Sequence, residues 1–344
     1  MDKGVSIVVC CYNSSGVLSQ TLKHIISQSV RSGIQWEIII VDNNSEDNTS
    51  EIAKSFLAET KVPYKILFQS VPGLSSARKM GLDNSQFEYV IFCDDDNWLD
   101  KNYVNLSFEI MEINKKIGAL GGYSEAVADG ILPEWFERYQ QNYAVGSQAE
   151  TSGDITWTHG SLWGAGIIMR RSALAELFSN GYKSLLSDRI KDRLASGGDI
   201  ELCYALRLAG WKIWYEPGLK LKHYIKPERL NWKYLRQLNR GFGAQKVVFD
   251  AYLKVLEPES KNFNQSFKLK WHFQLIKLLS KFRSYGFRKL IRFHDPFVGD
   301  PEILRIEKSL GRLKELMKVR GRYDSRIKSV RNASWRKIFS SDNI

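Results

Sequence analysis

Four short apolar runs in the first hundred residues each stop on a polar or acidic cluster, with segments of roughly helical period between them. Val5–Cys10 is apolar and β-branched and ends in Cys-Tyr-Asn-Ser-Ser-Gly, which reads as a turn. Residues 17–30 carry Val17, Leu18, Leu22, Ile25 and Ile26 at helical spacing. Glu37–Val41 is a second strand, stopped by Asp42-Asn43-Asn44-Ser45, and Ser45 and Asp47 are candidates to cap a helix over about 47–59. A third strand over 66–68, a helix over roughly 75–84 and a fourth strand, Tyr89–Cys93, follow, and the fourth ends on Asp94-Asp95-Asp96. Strands that are nearly continuously apolar and alternate with helices predict an α/β fold, a mostly parallel sheet covered on both faces. Ligands of such sheets bind beyond the carboxyl ends of the strands, where this chain places Asn13, Asp42 and the three aspartates.

The loop after the first strand has neither the Gly-x-Gly-x-x-Gly pattern of dinucleotide binding nor the Gly-Lys-Ser/Thr of a phosphate-binding loop, which argues against an NAD enzyme and a P-loop ATPase. No apolar stretch is long enough for a spanning helix, and Met-Asp-Lys runs directly into a strand-like segment, without the basic and apolar regions of a signal peptide. Cys10, Cys11, Cys93 and Cys203 lack ligand or disulfide-framework spacing, which favours a reducing compartment.

Three consecutive carboxylates after a buried strand raise one another's pKa unless something positive sits among them. A hard divalent cation, Mn²⁺ or Mg²⁺, would remove that cost, and Mg²⁺ usually takes only one or two protein carboxylates together with substrate phosphates. The pattern therefore suggests a diphosphate-bearing substrate; the plainer reading is a solvated acidic turn, against which Phe92 and Trp98 bracket the triplet. Downstream, Gly164 and Gly166 lie between bulky residues, where backbone approaches a ligand or a neighbour closely. Gly197-Gly-Asp-Ile-Glu201 opens an amphipathic helix, with Asp199 either a helix cap or a reactive carboxylate. A strand over 211–215 is expected to end at Pro217, and His223 follows.

In order along residues 4–230, Val5-Ser-Ile-Val-Val-Cys-Cys-Tyr-Asn13, Val41-Asp-Asn-Asn-Ser-Glu-Asp47, Pro72-Gly-Leu-Ser-Ser-Ala-Arg78, Phe92-Cys-Asp-Asp-Asp-Asn97, Trp163-Gly-Ala-Gly166, Gly198-Asp-Ile-Glu-Leu-Cys203 and His223-Tyr-Ile-Lys-Pro-Glu-Arg229 resemble the motifs of a family 2 glycosyltransferase of the GT-A fold, of the kind that builds bacterial polysaccharides and glycolipids. The resemblance implies metal-dependent sugar transfer from a nucleoside-diphosphate-sugar to a hydroxyl of a glycan or lipid-linked glycan, with inversion. A UDP-sugar is favoured over a GDP- or dTDP-sugar. It implies that Asn13, Asp42, Arg78, Asp94 and Asp95 bind the donor, with Asp42 and Arg78 at its base end. Asp96, with Asp94 and His223, would hold the metal, and Asp199 would be the general base. Gly198 stands where the family often has Glu, leaving Asp199 alone with Glu201 a weaker candidate, and Asn43 stands where it often has a second Asp. Two other classes fit less well. A non-catalytic nucleotide-sugar or carbohydrate binding module would not need Asp199, and a sugar nucleotidyltransferase would need a Gly-rich first loop.

The net charge of +12 divides unevenly. Residues 1–225, read as the catalytic domain with a donor half to about 98 and an acceptor half beyond it, hold 22 basic and 27 acidic residues; residues 226–344 hold 28 and 11. That C-terminal region reads as a basic helical extension. Trp271, Leu275, Leu278, Phe282 and Tyr285 recur at helical spacing among Lys270, Lys277, Lys281, Arg283, Arg288 and Lys289, a pattern suited to an anionic membrane interface or to packing on the enzyme. Ile303, Ile306, Leu310, Leu313 and Met317 form a second stripe, for docking on the catalytic domain or pairing two subunits, and 318–337 is dense enough in charge to expect poor order. No nucleic-acid-binding module is present. The cysteine usage and the missing signal-peptide pattern make the cytoplasm, or the cytoplasmic face of the inner membrane, the expected setting. Trp135, Phe136, Tyr139, Tyr143, Trp157, His159 and Trp163 are candidates to wall an acceptor cleft.

Overall fold

A computed structural model describes residues 2–186, 197–256, 270–285 and 297–337. The strands are β1 (Asp2–Cys11), β2 (Trp36–Asp42), β3 (Tyr64–Phe68), β4 (Phe87–Asp94), β5 (Asn97–Leu99), β6 (Ile117–Val127), β7 (Gly153–Asp154), β8 (Ile167–Arg170) and β9 (Lys212–Tyr224). The helices are α1 (Leu18–Ile26), α2 (Thr49–Leu57), α3 (Leu74–Asn84), α4 (Tyr103–Ile113), α5 (Phe136–Tyr139), α6 (Arg171–Ser179), α7 (Gly198–Leu208), α8 (Trp232–Leu256), α9 (Trp271–Tyr285) and α10 (Pro301–Arg331). Among the described residues the strands form one sheet in the order β3-β2-β1-β4-β8-β6-β9-β5, with β7 paired to β9.

The pairs β1–β2, β2–β3, β1–β4 and β6–β9 are parallel, and β8 enters antiparallel between β4 and β6. Side chains alternate across each strand, so a strand buried on both sides must be apolar at every position. In β1, Ile7, Val9 and Cys11 pack with Ile38 and Ile40 beneath α1, α2 and α4, whereas Val8 packs with Ile39 and Val41 on the opposite face. Each such Val or Ile contributes about 1.5–3 kcal/mol by leaving water, which is what holds the register. That register sets Cys11 beside Asp42 and Cys10 beside Asp94, so both acidic strand ends flank the end of β1.

Pro217 does not end its strand. β9 runs on to Tyr224, and its pairing with β6 jumps from Gly121–Tyr215 to Tyr123–Lys220, so Glu216–Leu219 bulge out of the ladder. A proline lacks the amide proton a ladder needs and is tolerated at such a bulge. The extension beyond it carries His223 into the site.

The basic C-terminal region is not a detached tail. Val247, Phe249, Ala251, Tyr252 and Val255 of α8 and Leu316, Val319, Tyr323, Ile327 and Val330 of α10 share one apolar cluster with Cys203, Tyr204 and Leu206 of α7 and Met169 of β8. The segment expected to be poorly ordered, 318–337, is helical to Arg331, and the stripe before it keeps Ile303 and Ile306 buried but continues through Leu316 and Val319 rather than the exposed Met317. The aromatic stripe of α9 is turned inward too. Leu278 and Tyr285 are buried, Trp271 and Leu275 pack on the same cluster, and the Tyr285 hydroxyl lies 2.9 Å from that of Ser309. Packing on α10 thus uses the side chains read as membrane anchors, leaving Ile276 and Leu279 outward at 60% and 51% exposure. Arg288 and Lys289 lie outside the described residues. No helix among the described residues is long and apolar enough to cross a membrane.

Candidate active site

A cavity of about 2040 Å³ opens beyond the carboxyl ends of β1, β2 and β4 and reaches as far as α7, α8 and α10. Single-ligand pockets run to roughly 1,000 Å³, so this one has room for two substrates. Asp94, Asp95, Asp96, Arg78, Asp199 and His223 all line it, from five separate elements and turns.

The three aspartates diverge. Asp94 accepts from Arg78 Nη2 at 3.4 Å, Asp95 accepts from the Ser14 hydroxyl, and Asp96 lies 3.5 Å from His223 Nε2 and 3.4 Å from Arg229 Nη1. Their protonation diverges with their partners. Burial and the neighbouring Asp96 push Asp95 up to about 7. Burial acts on Asp96 too, but His223, Arg229 and Lys226 outweigh it and hold the carboxyl at about 2. Asp96 is therefore an anion matched to cationic neighbours.

Arg78 leaves α3 with its guanidinium 5.6 Å above the Phe92 ring and between two carboxylates. At the position a Gly164 Cβ would take, Arg78 Nη2 is 2.7 Å away and Asp199 Oδ2 3.0 Å away, so backbone without a side chain is what lets the two converge. Asp199 stands in the first turn of α7, behind Gly197 at the N-cap, and no side chain caps that end. The cap reading of Asp199 is thereby set aside, and its carboxylate faces the cavity. Glu201 is fully buried. It accepts from the Leu185 and Leu186 amides at 2.6 and 3.2 Å and from the Ser184 and Tyr252 hydroxyls at 2.5 Å each. It therefore ties α7 to the 184–186 segment and to α8, and has no oxygen to offer a substrate.

Asn13 and Asp42 do not line the cavity. Asn13 closes the first loop on the second: its amide donates to Ser45 Oγ at 3.0 Å and its side-chain oxygen accepts from the Glu46 amide at 2.8 Å. Ser45 is thus spent on Asn13 rather than on capping α2. Asp42 is buried, accepting from the Ser45 amide at 2.9 Å and the Ser50 hydroxyl at 2.5 Å. The neighbouring Asn43 faces the cavity instead and builds its wall. It donates to the Gln69 and Val71 carbonyls at 3.1 and 2.7 Å and accepts from the Gly73 amide at 2.7 Å. Gly73, at φ 136°, starts α3 in a conformation that side chains rarely adopt.

Sequence reasoning missed Lys226, Tyr234, Leu238, Phe242, Lys246 and Lys308, which bring the C-terminal region into the cavity wall. Of the acceptor-half aromatics, Tyr143, His159 and Trp163 line the cavity, while Trp135, Phe136 and Tyr139 pack with Ile225, Trp232, Leu235 and Leu304. Trp157 is half-exposed beneath the Arg207 guanidinium, and Asp154 pairs with Lys212 at 2.8 Å.

Among the described residues no three His, Cys, Asp or Glu side chains gather around one point. Asp96 and His223 Nε2 offer a carboxylate and an imidazole side by side, and His223 Nδ1 is buried without a hydrogen-bond partner. That donor pair fits Mn²⁺ when phosphate oxygens complete the shell, whereas Mg²⁺, which takes oxygen ligands, would use Asp96 alone.

Strand-end carboxylates, the half-buried Arg78 and a cavity-facing Asp199 share one cavity with room for two substrates. The glycosyl transferase family 2 model matches residues 6–178, half of the chain, and the protein belongs to that family. The glycosyltransferase GlyA of Streptococcus pneumoniae is 29% identical over 154 residues, 42% of this chain and 21% of its own. The poly-beta-1,6-N-acetyl-D-glucosamine synthase of Staphylococcus epidermidis is 23% identical over 284 residues, 81% and 65% of the two chains. This chain thus spans less than two thirds of the length of these relatives. The crystal structure of S. aureus TarS 1-349 aligns with 95% of this chain and 91% of its own at 17% identity and a TM-score of 0.48.

Proposed function

We propose that this enzyme transfers a sugar from a UDP-sugar to a hydroxyl of a glycan or lipid-linked glycan with inversion, Asp199 acting as general base and a divalent cation assisting at Asp96 and His223. The observation that carries the reading is the placing of Asp199 and the Asp94–Asp96 segment on one cavity, with Arg78 between them. The name of the synthases supports an activated N-acetylhexosamine or related hexose as the donor's sugar.

The residues divide the work by position. Tyr12, Asn43 and the Pro72–Ser75 turn wall the end of the cavity nearest β2, which suits the base and ribose. Asp94 and Arg78 lie towards the diphosphate and sugar. A cation bound through Asp96 and His223 would neutralise charge developing on the leaving diphosphate. Lys226 and Arg229 bring fixed positive charge to the same place. On the far side the acceptor hydroxyl gives its proton to Asp199 as its oxygen bonds to the anomeric carbon, and the sugar–phosphate bond opens on the opposite face. Arg78 balances the Asp199 anion before that transfer.

The test is release of nucleoside diphosphate from a panel of nucleotide sugars in the presence of glycan and glycolipid acceptors. Parent protein should release UDP together with a product bearing one added sugar. Asp199→Asn should lower kcat by about 10²–10⁴-fold, the usual range for a lost general base, and leave nucleotide affinity within about twofold. Equal turnover by the two proteins would remove Asp199 from the mechanism.

A further inference from the structure

The cations of the C-terminal helices fall into two groups. Arg236 and Arg240 both bind Glu307, at 2.9 and 2.7 Å, and Arg312 binds Asp250 at 2.8 Å. These arginines therefore take up Glu307 and Asp250, while Glu315 and Asp324 pair with Lys318 and Lys270. Lys246 of α8 and Lys308 of α10 receive none: neither has a carboxylate within ion-pair reach among the described residues, and both line the cavity.

The fold forces these two lysines together. A Cβ on Gly243 would lie 1.9 Å from the Lys308 carbonyl oxygen, and one on Gly311 would lie 1.9 Å from that of Arg240, so the backbones touch where α8 crosses α10. Lys308 is half-buried beside Lys246, with Lys281 of α9 adding a third positive charge nearby, and burial and these two neighbours depress its pKa. Uncompensated like charges at a cavity wall are unfavourable in the free protein, and an anion arriving there relieves both the repulsion and the desolvation.

Position separates this cluster from the donor end. Gln245 and Phe249, on either side of Lys246 in the sequence of α8, press on Gly197, where a Cβ would meet them at 3.1 and 2.9 Å. Gly197 caps the helix bearing Asp199, so the lysines stand on the side of Asp199, whereas the cations near Asp96 are Lys226 and Arg229. Two flexible ammonium groups approaching from different helices suit the several oxygens of a phosphate. Lysine binds phosphate as a point charge, without the fixed fork geometry of arginine.

We propose that Lys246 and Lys308 form an acceptor subsite for a phosphate group, so that the molecule receiving the sugar carries a phosphate. This rests on the transferase reading and names the chemical class of its acceptor. Two sources carry such a phosphate, a soluble polyol-phosphate chain and a polyprenyl phosphate in a membrane, and the experiment distinguishes them.

Full-length protein saturated with UDP and Mn²⁺, to occupy the donor end, is titrated with a poly(glycerol phosphate) oligomer, with phosphatidylcholine vesicles containing or lacking polyprenyl phosphate, and with a neutral N-acetylglucosamine oligosaccharide. At least one phosphate probe should bind the parent. Its affinity should fall about tenfold or more in K246Q/K308Q, as expected for losing charge-assisted contacts. It should be largely kept in K246R/K308R and unchanged in K318Q, whose lysine is exposed on the α10 surface. UDP affinity should be the same throughout. Failure of both phosphate probes to bind the parent, or equal binding by K246Q/K308Q, would overturn the subsite. Failure of the parent to bind UDP or transfer sugar, with phosphate binding still lysine-dependent, would count against the transferase reading alone.

Discussion

Arg78 and Asp199 meet at a point where residue 164 has no side chain, and that coincidence makes Gly164 a functional position rather than a packing one. Adding a Cβ there displaces the tip of a long, movable side chain, so the cost in stability should be small. The cost in rate should not be, because a misplacement of about 1 Å in a reacting group is worth on the order of a hundredfold. Gly164→Ala is therefore expected to keep the parental Tm within a degree or two and to lose kcat by about that factor; a fully active variant would show that Arg78 need not approach Asp199. Glu201 predicts the opposite split. Glu201→Ala strips the acceptor from two backbone amides and the Tyr252 hydroxyl in a fully buried place. Roughly 3 kcal/mol of stability should be lost, read as a lower urea midpoint at unchanged m-value. In the sequence Glu201 ranks below Asp199 only by resemblance. What occupies its carboxylate is Tyr252 and the 184–186 segment, which lie 51 and 15–17 residues away along the chain.

At the scale of elements, β1, β2 and β4 were readable because they are buried on both faces and nearly apolar throughout, and β2 and β4 end abruptly on Asp42 and Asp94. β9 was not, because a proline usually stops a strand and nothing local reveals that a four-residue bulge lets this one resume. The α8–α10 pair was also hidden. Each helix shows its own periodicity, but the contact depends on Gly243 and Gly311 meeting backbone from the other helix. This contact gives a paired prediction. Gly321, exposed on α10, has open space where a Cβ would go, so Gly321→Ala should stabilise the protein by about 1 kcal/mol through helix propensity. Gly243→Ala gains the same propensity but drives a methyl into the Lys308 carbonyl, so it should destabilise by about 1–3 kcal/mol. Thermal unfolding of the two variants should therefore shift in opposite directions; two upward shifts would mean that the helices do not cross as closely as described.

Across the whole molecule, the sharp change in charge between residues 225 and 226 suggests two parts, and packing joins them. The residues before the change have an acidic excess and hold the strand-end carboxylates; those after it have a basic excess and supply Lys226, Arg229, Lys246 and Lys308 to the same cavity. The apolar cluster beneath α7 is closed by α8 and α10, and Ile225 is buried in a second cluster with Leu235 and Leu304. A chain ending at Ile225 would leave Tyr204, Cys203 and Met169 facing water, at about 1.5–3 kcal/mol for each large side chain uncovered. Native domains are stable by only about 5–15 kcal/mol, so the loss of two helices' worth of such contacts exceeds what the remainder can bear. The truncated chain should be insoluble or should unfold without a cooperative transition, whereas a chain ending at Lys337 should keep the parental melt and nucleotide affinity. A soluble, cooperatively folded chain of residues 1–225 that binds nucleotide as tightly as the parent would show the basic region to be an attachment. In the structure that region is instead the wall against which α7 is set, and Lys226, Arg229, Lys246 and Lys308 bring its charge to the cavity.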